Sequence, residues 1–202
     1  MLMKSTENVS SLLLRTRSIR RFQGTRSLTP ETLESLVELT RYCPSGANRQ
    51  PLKYMCISKK EDCRFVTKHV KWAALLPDWE GPTEEEEPSA YILVMTDKKL
   101  SENAPYDSGI ASHAILMGAT EKGLGGCMLG NIDRESLHDH FGINRIRYRI
   151  DLAIALGVPA EEPVIEEAVE TTAYYRDEND ILHVPKKKLS ELLCGGTHES
   201  LS

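Results

Sequence analysis

The stretch Ser-Ala-Tyr-Ile-Leu-Val-Met-Thr at residues 89–96 constrains this chain most. It is almost continuously apolar over the length of one strand, and that predicts a strand buried inside a sheet. Ile-Asp-Leu-Ala-Ile-Ala-Leu at 150–156, closed by Gly157 and Pro159, predicts a second internal strand. Between them, residues 107–122 carry Ala, Ile, Leu and Met on most helical faces, which predicts a central buried helix ended by the glycines at 123–126.

Shorter elements surround these three. Residues 9–15 read as a short helix. Thr29 can cap a helix, Pro30 suits its first position and Glu31 its positive end; Leu33, Leu36, Val37 and Leu39 then form one face, stopping before Pro44. Strands are expected at 54–58, 127–129 and 181–184, the last ending before Pro185. Helices are expected at 61–75 and from Asp133 through Leu137 and Phe141 to Gly142. Alternating helices and strands imply a layered α/β or α+β domain.

The 202 residues suffice for a single domain, 1–202, at about 100–200 residues per domain, and need no metal or disulfide to fold. With 25 basic against 30 acidic side chains the chain has a net charge of −5, which argues against a general nucleic-acid or membrane-surface binder. No apolar run reaches about 18 residues, so no membrane-spanning helix is expected, and residues 1–11 lack a signal-peptide core. Five cysteines without a Cys-x-x-Cys pair predict reduced thiols in a cytoplasmic protein and no zinc site. Four glutamates at 84–87, between Pro and Gly residues, predict a solvated loop over 77–88.

Four segments carry possible chemistry. Arg15, Arg17, Arg20 and Arg21 surround Ser18, and guanidinium forks with a hydroxyl suit a phosphate dianion, although a solvated basic turn has the same composition. The loop Cys-Pro-Ser-Gly-Ala-Asn-Arg-Gln-Pro at 43–51 offers Asn and Gln amides that can read a flat heterocycle; its residues are also ordinary turn formers. The glycines at 123–126 allow close backbone approach to a ligand, or simply cap a helix. Lysines 186–188 add charge near the C-terminus, as a solvated cluster or as part of a phosphate site. His113, on the expected buried helix, reads as a structural histidine, and Cys127 as an inert buried thiol.

These segments, in this order, resemble the FMN-dependent nitroreductase family. That family shows an Arg-Ser-x-Arg segment after its first helix, matched at 17–20. Its Pro-Ser-x-x-Asn-x-Gln-Pro loop is matched at 44–51, and its Asp-x-Gly-x-Ala helix with a following Gly-Leu-Gly turn at 107–111 and 123–125. A Leu-Gly-x-Pro-Ala-Glu-Glu-Pro stretch at 156–163 and Val-Pro-Lys at 184–186 complete the pattern. The resemblance spans about residues 12–193, and the tails 1–8 and 195–202 are expected to be flexible. It implies an α+β fold, with helices flanking a mainly antiparallel central sheet in an α/β/α sandwich, assembled as an intertwined homodimer with FMN at the interface. The residues implied in cofactor binding are Arg17, Ser18 and Arg20 for the phosphate and ribityl chain, and Pro44, Ser45, Asn48 and Gln50 for the flavin, partly from the partner. Gly125 and Gly126 form the turn whose backbone faces the reactive flavin nitrogen, and Lys186 and Lys187 are further phosphate ligands. No catalytic side chain and no metal is implied.

The implied activity is NAD(P)H oxidation by a ping-pong route, with a nitroaromatic or quinone as small-molecule acceptor. Trp72, Trp79 and Tyr91 are candidate pocket walls. A same-fold reductive dehalogenase or ene reductase, and an FMN storage or sensing protein without turnover, are the alternatives. Leu52 and Lys53 stand where the family often has an aromatic residue, all three residues at 186–188 are Lys where an Arg is common, and residues 59–88 are short for a substrate cover. These departures leave the acceptor open.

Overall fold

In the computed structural model, Leu52–Ile57 (β1), Ala90–Asp97 (β2), Tyr148–Gly157 (β4) and Gly125–Leu129 (β3) lie side by side in that order, each antiparallel to its neighbour. The structure describes residues 8–194; apart from Asn8, the tails expected to be flexible lie outside the described residues. All of β2 is buried because both faces of the sheet are covered. Along it Tyr91, Leu93 and Met95 enter one core, and Ala90, Ile92 and Val94 the other, the two-residue alternation of a pleated strand. Helices Pro30–Glu38 (α2) and Pro105–Glu121 (α4) cover the second core through Leu33, Leu36, Ile115 and Ala119. Lys60–Lys68 (α3) and Arg134–His140 (α5) cover the first through Val66 and Leu137, joined by Phe22 and Trp72. This is the helix–sheet–helix, mainly antiparallel α+β arrangement expected.

Local chemistry explains the element ends. Val9–Arg15 (α1), α2 and α5 each start at a side chain, Asn8, Thr29 or Asp133, that accepts a hydrogen bond from a backbone N–H one turn on. Asp151, the one charged residue inside its apolar run, falls where the β2–β4 register slips. Its carboxylate accepts from the Thr96 hydroxyl at 2.6 Å, the Ser108 hydroxyl at 2.8 Å and the Arg149 guanidinium at 2.7 Å. The charge is therefore paired, and it ties β4 to β2 and α4.

Several expectations need correction. The helix expected over 61–75 stops at Lys68, where Val70 bridges Ile132 and the Lys71 N–H donates to the Asn131 carbonyl. Buried Val70, Trp72 and Ala73 imitated a helical face. The last strand runs through Pro185: Leu182–Lys186 (β7) lies between Val164–Glu167 (β5), parallel, and Tyr175–Arg176 (β6), antiparallel. β6 reaches only Leu182 and His183, so Pro185 has an unpaired side where a missing N–H is tolerated. β5, β6 and Leu189–Leu192 (α6) are too short for a periodic signal.

Of the glutamates at 84–87, Glu84 and Glu85 are exposed as expected, but the segment is also docked on the body of the protein. Arg64 pairs with Glu84 at 2.7 Å and Glu87 at 3.3 Å, and the carbonyls of Glu85 and Glu86 accept from Gly24 and Phe22. Helix α4 is buried on one side only, with Tyr106, Ile110 and His113 exposed, so His113 is not a buried structural histidine. Among the described residues no helix is long and apolar enough to cross a membrane.

Candidate functional site

The arginine segment follows α1 directly. Thr16 closes the helix by donating its N–H and hydroxyl to the Leu12 carbonyl, and the Arg17 guanidinium turns back to the Leu13 carbonyl at 2.7 Å. A cation at a helix C-terminus meets the negative end of the dipole. The chain then runs beside β3: Ser18 forms a parallel bridge with Gly126, whose carbonyl accepts from the Ile19 N–H at 2.9 Å. Ser18 and Ile19 are thus brought against Gly126 and Gly125. A Cβ on Gly126 would come within 2.4 Å of the Ala155 carbonyl oxygen, and one on Gly125 within 2.6 Å of Ile19. The fold itself therefore requires both glycines.

Charge in this region is only partly compensated. Arg21 pairs with Asp180 and, at 3.6 Å, with Glu86, and lies 5.8 Å from the Trp79 ring centroid. Arg20 stacks over Tyr174 at 4.8 Å. The Nε atoms of Arg17, Arg20, Arg21 and Arg176 are buried without a hydrogen-bond partner, and burial draws the Arg17 guanidinium down from its ordinary value. An orphaned buried donor on a charged group costs free energy until it meets an acceptor. Arg17, with Ile19, Gln23, Gly125 and Glu161, lines a cavity of about 660 Å³, and Arg20 is not among its lining residues.

The loop after α2 is built separately. The Ser45 hydroxyl donates to Asp107 Oδ2 at 2.5 Å and accepts from the Gln50 N–H at 2.9 Å, while the Gly46 N–H donates to Asp107 Oδ1. Asp107 thereby holds a turn in which Ala47, Asn48 and Gln50 all have positive φ, 51°, 52° and 47°. The Gln50 amide donates to Asn48 Oδ1 at 3.1 Å. Pro44, Ser45, Asn48 and Gln50 line a second cavity, of about 220 Å³, with Asp107 and Tyr54.

The two cavities share no lining residue. Asp107 belongs to one and Thr120 to the other, and between them α4 advances about 20 Å at roughly 1.5 Å per residue. Lys186 and Lys187 are exposed at the end of β7 and line neither cavity. Of the wall candidates, Tyr91 is wholly buried core, its hydroxyl bonded to Thr67 at 2.8 Å. Trp72 and Trp79 meet edge to face at 6.4 Å and line a third cavity, of about 770 Å³. Cys127 is buried, which raises its thiol and keeps it from the reactive thiolate form. Asp107 and Glu161 were not singled out from the sequence. Both lie inside the quoted motifs, and a charged residue in such a stretch is the signal that could have found them.

Residues 13–158 match the nitroreductase family. No curated protein matches the sequence. Solved structures resemble it closely in fold. A Desulfovibrio desulfuricans protein designated a nitroreductase, in complex with FMN, superimposes with a TM-score of 0.69 at 22% identity, covering 96% of this chain and 100% of that one. A Staphylococcus epidermidis protein designated an NAD(P)H:FMN oxidoreductase gives 0.65 at 15% identity, covering 85% and 95%. An enone reductase of gut-bacterial fatty acid saturation gives 0.66 at 15% identity, covering 84% and 96%. At these identities the likeness is one of fold.

Proposed function

Because the chain belongs to the nitroreductase family, we propose that it is a flavin oxidoreductase that holds FMN between two copies of itself and draws electrons from NAD(P)H. The observation that carries this reading is the Arg17 guanidinium, its Nε buried without a hydrogen-bond partner, lining together with Gly125 a cavity of about 660 Å³. Charge-assisted donors of this kind suit a phosphate, and the volume falls in the range of about 300–1,000 Å³ usual for small-molecule sites.

The chemistry FMN supplies when bound is hydride transfer, received from NAD(P)H and given in a ping-pong sequence to an electron-poor acceptor such as a nitroaromatic or quinone. The protein's share is to bind and orient. Arg17, Ser18 and Arg20 take the phosphate and ribityl chain, with Lys186 and Lys187 adding charge. Gly125 and Gly126 present backbone toward the ring. Pro44, Ser45, Asn48 and Gln50 come from the partner subunit. In that loop the Ser45 hydroxyl is engaged with Asp107 and Gln50, so its part is to shape the turn; with Gln50 Nε2 donating to Asn48 Oδ1, it is Asn48 Nδ2 and Gln50 Oε1 that would meet the flavin.

Sharing follows from the separation along α4. One chain holds the two groups of residues at opposite ends of a helix whose Tyr106, Ile110 and His113 are exposed. A second copy laid antiparallel against that face by a two-fold axis brings the loop of one chain to the arginines of the other.

The purified protein is expected to be yellow, to release FMN and not FAD on denaturation, and to bleach anaerobically with NADH or NADPH. A colourless protein that takes up no added FMN overturns the reading. Flavin that binds but is not reduced by either nicotinamide points to storage or sensing. An acceptor screen of nitroaromatics, quinones and enones assigns the oxidative half; the enones belong in it because an enone reductase shares the fold.

A further inference from the structure

We propose that Glu161 is a positioning residue for the phosphate end of this site, acting through the backbone of Arg20 and Arg21. The inference rests on reading residues 17–20 as the phosphate segment. The Glu161 side chain is only 8% exposed. Its Oε1 accepts from two successive backbone N–H groups, of Arg20 at 2.6 Å and of Arg21 at 3.2 Å. Its Oε2 accepts from Arg176 Nη2 at 2.5 Å. One carboxylate thus joins three parts of the fold: the arginine segment, the stretch after β4, and β6.

The consequence lies in what the two arginines do from that fixed backbone. Arg21 turns to Asp180 and Glu86 and is consumed within the protein. Arg20 lies over the Tyr174 ring, its Nη1 reaching only the Ser18 carbonyl at 3.5 Å, and among the described residues it pairs with no carboxylate. By pinning both N–H groups to one oxygen, Glu161 sets which arginine is spent internally and which is held for a ligand. Arg176, the other partner of Glu161, also donates to the Asp180 carbonyl at 2.7 Å, so the acceptor that engages Arg21 is fixed by the same network.

Charge and geometry predict opposite effects. Glu161 lines the cavity into which a phosphate would come, and by Coulomb's law alone its removal favours an anion. If its role is positional, its removal weakens phosphate binding even though the site becomes more positive.

The test compares FMN with riboflavin, which lacks the phosphate, by fluorescence titration of flavin-free protein. Wild type, Glu161→Gln and Glu161→Asp are compared, the last keeping the charge but withdrawing it by one methylene. In both variants FMN affinity is expected to fall about tenfold or more, as for loss of a charge-assisted hydrogen bond, with riboflavin affinity within about twofold of wild type. Unchanged or tighter FMN binding in Glu161→Gln overturns the proposal. So does an equal loss of both flavins, or a failure of both variants to fold, because either assigns Glu161 to general stability. A wild type that binds FMN and riboflavin equally overturns the phosphate-segment reading and the proposal with it, and is told apart because the variants are not needed to see it.

Discussion

Ala47, Asn48 and Gln50 occupy the left-handed region that side chains rarely adopt, at about 1–2 kcal/mol each for an ordinary residue. Three such residues within four persist because Asp107 and Ser45 over-determine the turn. Ala47 is exposed, so Ala47→Gly removes strain without removing packing. Less the added entropy of glycine in the unfolded chain, the substitution is expected to stabilise the protein by up to about 1 kcal/mol, a rise of roughly 2–4 °C in the thermal midpoint. A lower midpoint in calorimetry means that the methyl group makes contacts that outweigh the strain. At this scale the sequence revealed the residue types but not how each is used. Ser45 was legible as a polar loop residue, yet its engagement with Asp107 depends on α4 arriving from sixty residues away. Gly125 and Gly126 were legible as close-approach positions, and the approaching groups include Ile19 and the Ala155 carbonyl.

Among the elements, the small β5–β7–β6 sheet is held by a titratable clasp. His183 on β7 meets Glu166 of β5 at 2.9 Å and Asp177 beyond β6 at 3.3 Å, and stacks on Tyr175, whose hydroxyl donates to Glu166. The hydrogen bond to Glu166, then Asp177, holds the imidazole above its ordinary value. A folded value above the unfolded one, near 6.5, means that protonation favours the fold. The stabilisation is therefore complete below about pH 6.5 and is lost as pH rises through the folded-state value. The deficit in melting temperature of His183→Gln relative to wild type is expected to be larger at pH 6 than at pH 9. Equal deficits at the two pH values show that neutral imidazole serves as well. Elements with a long apolar run, namely β2, β4 and α4, and the one-faced helix α2 were legible. The helix expected at 61–75 overran because the chain leaves the helix at Lys68 and Val70 bridges Ile132 instead, and β5 and β6 are too short to carry a period.

For the whole molecule, the separation of the two cavities along α4 leads to a complementation experiment. An Arg20→Ala chain is mixed with an Asn48→Ala chain. If one site draws these residues from different chains, the mixed dimer has one doubly damaged site and one intact site, and about one FMN binds tightly per dimer. If both residues come from one chain, every site stays damaged and no tight FMN returns. Sedimentation with and without FMN should also show the ligand favouring the dimer, as linkage requires for a ligand bound only to the assembled form. The order of the motifs made the family and the layered fold legible in the sequence, but no single-chain pattern encodes which surfaces meet. The strand order β1–β2–β4–β3 bears on how the protein is made. Because β4 lies between β2 and β3, β3 leaves the ribosome before the strand it pairs with exists. At roughly 5–20 residues per second, the synthesis from Leu129 to Gly157 leaves the inner edge of β2 and the β4-facing edge of β3 without partners for a few seconds. That interval, between two apolar strands and the one that joins them, is where a nascent chain of this topology is most open to capture by a chaperone or by another copy of itself.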